Sequence, residues 1–144
     1  MEFNYNDGGR SESGYKGETG DCFVRALAIV AELPYKEAYD LANEFAKDEK
    51  ASKRRKVKSN ARTGYHTVTA HKVFKHLGWK WTPTMFIGSG CTVHLNPDEL
   101  PSGRIVCNVT KHFAAVIDGV LNDTADCSRE ETRCVYGYWW KEEE

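Results

Sequence analysis

Gly20-Asp21-Cys22-Phe23-Val24-Arg25-Ala26-Leu27-Ala28-Ile29-Val30-Ala31 reads as a helix that carries a cysteine in its first turn. Asp21 suits the N-cap, where a carboxylate accepts backbone N–H groups, and Gly20 frees the entry angle of the chain. Beyond the cap only Arg25 is charged. A helix apolar nearly all round is buried on most sides, so the pattern predicts a core helix over 22–31. Cys22 then stands at the positive end of the helix dipole, a setting that favours a thiolate. Two readings of Cys22 follow: a nucleophile, or a small buried hydrophobe, which is how a free cysteine usually behaves.

Upstream, residues 1–19 are rich in Gly, Asn, Asp and Ser and read as an irregular lead-in. Downstream, Leu33-Pro34 breaks the helix, and Pro34 suits the first turn of a second. There Tyr35, Ala38, Leu41, Ala42 and Phe45 recur at helical spacing, to an end near Lys47. Residues 47–64 form a basic loop, with seven bases against two acids in 47–58. Its Lys53–Lys58 core is a candidate nucleic-acid contact or targeting signal. No aromatic is interleaved as a stacking platform, so the preferred reading is a solvated, mobile loop. Thr67 can cap a third helix with an Ala70, Val73, Phe74 and Leu77 stripe, and Gly78 fits its C-terminal cap. His66, His71 and His76 do not share a helix face as metal ligands would, and are expected at the surface.

From residue 79 the period changes to alternation. Trp79 and Trp81 alternate with Lys80 and Thr82, Cys91–Leu95 is a short strand candidate, and Arg104–Val109 puts Ile105, Cys107 and Val109 on one face. Phe113–Ile117, Asp118-Gly119 and Val120–Asp123 read as a hairpin, and Cys134–Trp140 as a last strand. Helices first and an antiparallel sheet afterwards make an α+β layout within one domain, 1–144, a length that supports a real core.

The hairpin makes a finer prediction. With a two-residue loop, Ile117 pairs with Val120, Ala114 with Asp123, and His112 with Ala125. Paired residues share a face, so His112 and Asp123 are diagonal neighbours while Asn122 and Asp126 point away. A bulge would pass the role to Asn122 or Asp126. A helix-borne thiol, a strand-borne imidazole and a carboxylate on the next strand compose a nucleophile, a base and an orienter.

Asp21-Cys22-Phe23-Val24-Arg25-Ala26-Leu27-Ala28 and His112-Phe113-Ala114-Ala115-Val116-Ile117-Asp118-Gly119-Val120-Leu121-Asn122-Asp123-Thr124 resemble the two catalytic blocks of papain-like cysteine peptidases. The likeness is to small phage and bacterial members, similar to bacteriocin-processing peptidase domains. It implies a papain-like fold with the nucleophile on a buried helix, Cys22 as nucleophile, His112 as general base and Asp123 as orienter. Many members carry a glutamine upstream of the cysteine as oxyanion donor. Here Lys16 stands in that place and the chain has no Gln. The Cys22 N–H supplies one donor; Thr19, or an asparagine of the lead-in such as Asn6 or Asn4, stays open as the second.

The expectation is a thiol hydrolase acting on a peptide or protein through an acyl-enzyme, with no metal or organic cofactor. Isopeptidase, deamidase, transglutaminase and acyl-transferase variants remain open on the same triad. So does a catalytically weak papain-like scaffold that binds a protein partner. A zinc site from Cys91, Cys107, Cys127 or Cys134 is a third alternative, disfavoured because no spacing matches a zinc knuckle. Net charge is −1, so no global field points to nucleic acid or membrane. No window resembles an export signal or a membrane span. Five cysteines, an odd number without CxxC, then predict reduced thiols in a cytoplasmic setting.

Overall fold

The first helix, α1, spans Cys22–Ala31 and buries Phe23, Val24 and every residue from Ala26 to Val30. It ends at Glu32 in the left-handed conformation, with Leu33 N–H donating back to Ala28. α2 covers Tyr35–Ala46 and buries Tyr35, Ala38, Ala42 and Ala46. α3 covers Thr67–His76. His66, rather than Thr67, holds the N-cap position of α3, and no side chain caps it. Gly78 and Trp79 close α3 by donating to the carbonyls of Lys75 and Phe74. The computed structural model describes residues 1–14, 21–49, 59–60 and 64–142. Among these, no helix is long and apolar enough to cross a membrane.

The six strands are β1 (Phe3–Tyr5), β2 (Lys80–Pro83), β3 (Arg104–Val109), β4 (His112–Ile117), β5 (Val120–Asp123) and β6 (Gly137–Trp140). They form one sheet in the order β1-β5-β4-β3-β6-β2. The architecture is therefore α+β, and the sheet is antiparallel throughout except at one edge. β1 lies parallel to β5, pairing Phe3 with Leu121, Asn4 with Asn122 and Tyr5 with Asp123. This corrects the irregular lead-in expected for 1–19. A three-residue strand carries too little alternation to declare itself and exists only because β5 completes its hydrogen bonds.

The sheet is covered on both faces. On one, Val106, Phe113, Ala115 and Trp139 pack against the helices, with Phe23, Leu27, Val73 and Phe74. On the other, Ile105, Cys107, Val109, Ala114, Val116 and Leu121 pack beneath Leu95 and Val135. The Asp118-Gly119 loop has positive φ at both central residues, as a type I′ turn requires. The observed pairs are Ile117–Val120, Val116–Leu121 and Ala115–Asn122, the register the two-residue loop predicts, with no bulge.

Two expectations fail in the segment that covers the second face. Cys91–Leu95 is not a strand: its pairing with 133–135 amounts to a single bridge, His94 with Cys134, closed by the Leu95 N–H on Arg133 and the Val135 N–H on Val93, while Cys91 and Thr92 are exposed. Nor are all five thiols reduced. Cys91 and Cys134 form a disulfide, with Cα atoms 5.9 Å apart, leaving Cys22, Cys107 and Cys127 free.

Where β6 pairs with β2, opposite Pro83, Gly137 leaves no space for a side chain. A Cβ there would press into the Trp81 ring and lie 2.9 Å from the Thr82 carbonyl oxygen. Gly137→Ala is expected to lower the free energy of unfolding by about 1–3 kcal/mol through overpacking. Urea denaturation checks this, and an unchanged midpoint would contradict the packing described.

Candidate functional site

Cys22 is the first residue of α1 and half-buried. Asp21 precedes it in the cap position, but its carboxylate does not cap the helix. It bonds instead to Arg25 on the next turn and to the Tyr35 hydroxyl at 2.5 Å, and is ion-paired with Arg10, whose Nε lies 3.1 Å away. The capping role read from the sequence is corrected. A carboxylate only 1% exposed is better satisfied by cations and a hydroxyl than by neutral amides.

His112 opens β4 just after the Thr110-Lys111 turn, and Asp123 closes β5. His112 Nε2 and Asp123 Oδ2 are 2.6 Å apart. Asp123 also accepts the Thr124 N–H at 2.7 Å and lies 3.5 Å from Arg25 NH2. Burial opposes ionisation of Asp123. The bond to His112, the Thr124 N–H and the Arg25 charge prevail and hold its carboxyl below the usual range. Burial likewise opposes charge on His112. The bond to Asp123 and the influence of the nearby Cys127 and Cys22 thiols prevail there, raising its pKa to about 11. The imidazole thus sits between the carboxylate and the Cys127 thiol, and its raised pKa favours the charged form.

The other two carboxyl or amide candidates for the orienting role are engaged elsewhere. Asn122 accepts from Asn4 at 2.8 Å and donates to the Val120 carbonyl, and Asp126 accepts from the Ser128 N–H and hydroxyl. Asn6, a candidate oxyanion donor, is engaged with Gly8 and with Asn122 of β5. Its carbonyl oxygen accepts the Gly8 N–H at 2.9 Å and its amide faces Asn122 at 3.5 Å. Thr19, the other candidate, lies outside the described residues, as do Lys16 and Lys53–Lys58.

Three further participants stand outside the triad read from the sequence, Cys127 among them having been named only in the disfavoured zinc alternative. Cys127 has its Sγ 3.7 Å from Asp123 Oδ2, and His112, Asp123 and Cys127 each place a donor atom within 4.8 Å of the others. Arg25 was visible as the lone charge of an apolar helix but was given no task. Tyr35 shows in the sequence only as one position of the α2 apolar period, which says nothing of its hydroxyl on Asp21. His71 is a further correction: it is not an ordinary surface histidine. It is half-buried, accepts the Trp139 indole N–H at 3.1 Å and packs edge-on to Trp81, and burial pushes its pKa down.

A cleft of about 480 Å³ lined by Thr82, Arg104, Asp118, Tyr138 and Trp140 lies at the other end of β4 from His112 and contains neither thiol nor imidazole. No family model matches this chain, and no curated protein or solved structure matches it. The arrangement around Cys22 must be interpreted from its own chemistry.

The ion pair dictates a pH profile for stability. The raised His112 contributes stability that is fully present below its unfolded value of 6.5 and is lost as pH rises toward about 11. The lowered Asp123 contributes stability present above its unfolded value of 3.8 and lost as pH falls through its lower folded value. The stability advantage of the wild type over His112→Gln is therefore expected to peak between about pH 4 and 6.5 and shrink steadily above that. Denaturant titrations across pH check this. An advantage that grows from pH 6.5 to 9 would contradict the assignment.

Proposed function

We propose that this chain is a thiol-dependent hydrolase of papain-like architecture, a cysteine peptidase, with Cys22 as nucleophile, His112 as general base and acid, and Asp123 as orienter. What carries the reading is the short His112–Asp123 bond on an imidazole whose pKa is raised, with the Cys22 thiol at a helix N-terminus contributing to that rise. Each element alone has a structural explanation. Their convergence supplies a nucleophile, the cation that holds it as thiolate, and a third group that fixes the ring.

The mechanism follows from these positions. The Cys22 thiolate attacks the carbonyl carbon of a peptide or related amide. The negative oxygen that develops faces the backbone N–H of Cys22, which as the first helical residue has no acceptor within its own helix. The His112 imidazolium then delivers its proton to the leaving amine, so the C–N bond breaks and an S-acyl enzyme remains. His112, now neutral, takes a proton from water as it attacks the thioester, and Cys22 leaves as thiolate. Asp123 keeps Nε2–H engaged, so the other ring nitrogen is the one available to sulfur and substrate. None of these steps requires a metal or an organic cofactor. Replacing water by an amine in the last step gives the transferase variant of the same chemistry.

Alkylation by iodoacetamide tests the proposal without knowledge of the substrate. The Cys22 rate constant is expected to be nearly constant from about pH 6 to 8 in the wild type. In His112→Ala it is expected to fall by about tenfold or more near pH 6.5 and to climb about tenfold per pH unit, as an isolated thiol does below its ordinary pKa of about 8.5. Peptide mapping separates Cys22 from Cys107 and Cys127. A wild-type profile that climbs like that of an isolated thiol would refute the thiolate–imidazolium pair.

A further inference from the structure

Cys127 is the group the proposed hydrolysis leaves without a task. It is half-buried, reduced, and set against both members of the His–Asp pair. A thiol beside a catalytic imidazole is a competitor for that ring, and the geometry suggests what the competition serves.

We infer that His112, Asp123 and Cys127 form a binding site for a divalent transition-metal ion of the zinc class, which when filled occupies Nε2 and leaves the ring without the imidazolium charge that would pair with Cys22. The donor set is one imidazole nitrogen, one carboxylate oxygen and one sulfur, the mixture zinc prefers over hard cations. Zinc bonds of about 2.0–2.3 Å put tetrahedral donors about 3.3–3.8 Å apart. The 3.7 Å between Cys127 Sγ and Asp123 Oδ2 already meets this. The 2.6 Å between His112 Nε2 and Asp123 Oδ2 needs only to open by about 0.7 Å, and all three atoms lie within 4.8 Å of one another.

Three elements hold the donors: the start of β4, the end of β5 and the segment after it. Arg25, 3.5 Å from the other carboxylate oxygen, orients Asp123 from behind without occupying Oδ2. Three protein ligands leave the fourth position for water. The exchange balances: the ion enters, the imidazolium proton and the Cys127 thiol proton leave to solvent, and Asp123 trades its hydrogen-bond partner for the metal. The inhibition of Cys22 that follows rests on the thiol chemistry proposed above, but the binding itself does not.

The test is metal uptake by the intact, metal-free chain, with Zn²⁺ titrated against a chromophoric chelator and Co²⁺ used as a spectroscopic probe. One equivalent of Zn²⁺ is expected, together with a thiolate-to-cobalt charge-transfer band in the near ultraviolet. Both are expected to be lost in Cys127→Ser and kept in Cys107→Ala, whose thiol is fully buried in the second core layer. Absence of stoichiometric uptake, absence of the band, or uptake unchanged in Cys127→Ser would overturn the site. Should Cys127→Ser fail to fold, Asp123→Asn serves instead: weaker uptake supports the site and unchanged uptake refutes it. Alkylation of Cys22 in the metal-free protein tests the hydrolase reading separately, so either can fail alone.

Discussion

Two buried carboxylates, Asp21 and Asp123, share one guanidinium. Asp21 is 1% exposed and Asp123 5% exposed, and a carboxylate taken that far from water costs several kcal/mol unless a cation and hydrogen bonds meet it. Arg25 binds Asp21 within its own helix and reaches Asp123 at the end of β5. Arg10 and Tyr35 complete Asp21, and His112 completes Asp123. Electroneutrality therefore ties the cysteine-bearing end of α1 to the strand that holds the imidazole in place. The single charge in an apolar helix is the link between them.

Aromatic packing fixes the same junction from the apolar side. Phe23, next to Cys22, meets Phe113, next to His112, with ring centroids 5.2 Å apart, and also touches Phe74 and Tyr65. Phe74 in turn stacks on Trp139 of the central sheet. Because neighbouring residues point to different sides, burying Phe23 and Phe113 together leaves Cys22 and His112 at the rim of that cluster. There a polar ring can be charged and a thiol can reach it. The hairpin register does the rest: the type I′ turn sets the β4–β5 pairing that brings Asp123 across from the start of β4.

Much of this was legible because it is local. The apolar period of 22–31, the Asp118-Gly119 turn and the pairing it imposes need only nearby residues, and the His112–Asp123 contact follows from counting along two strands. What was not legible depends on partners distant in sequence. β1 is three residues long and is a strand only beside β5. Cys91 and Cys134 are 43 residues apart with no spacing cue for their disulfide. Asp21 looked like a cap because capping is local. Arg10 and Tyr35, which draw its carboxylate away together with Arg25, arrive through tertiary packing. His71 looked exposed because its cover, Trp139, lies 68 residues on. Cys127 sits on an irregular segment whose path periodicity does not describe.

The central claim is that His112 is a cation at neutral pH, held so by Asp123 and shared with Cys22. ¹⁵N NMR of the His112 ring across pH 5–10 measures it directly. The account predicts that both ring nitrogens keep imidazolium shifts through neutral pH, with loss of the proton only well into the alkaline range. Titration near the ordinary histidine value of about 6.5 would contradict it and remove the thiolate–imidazolium pair on which the proposed chemistry stands.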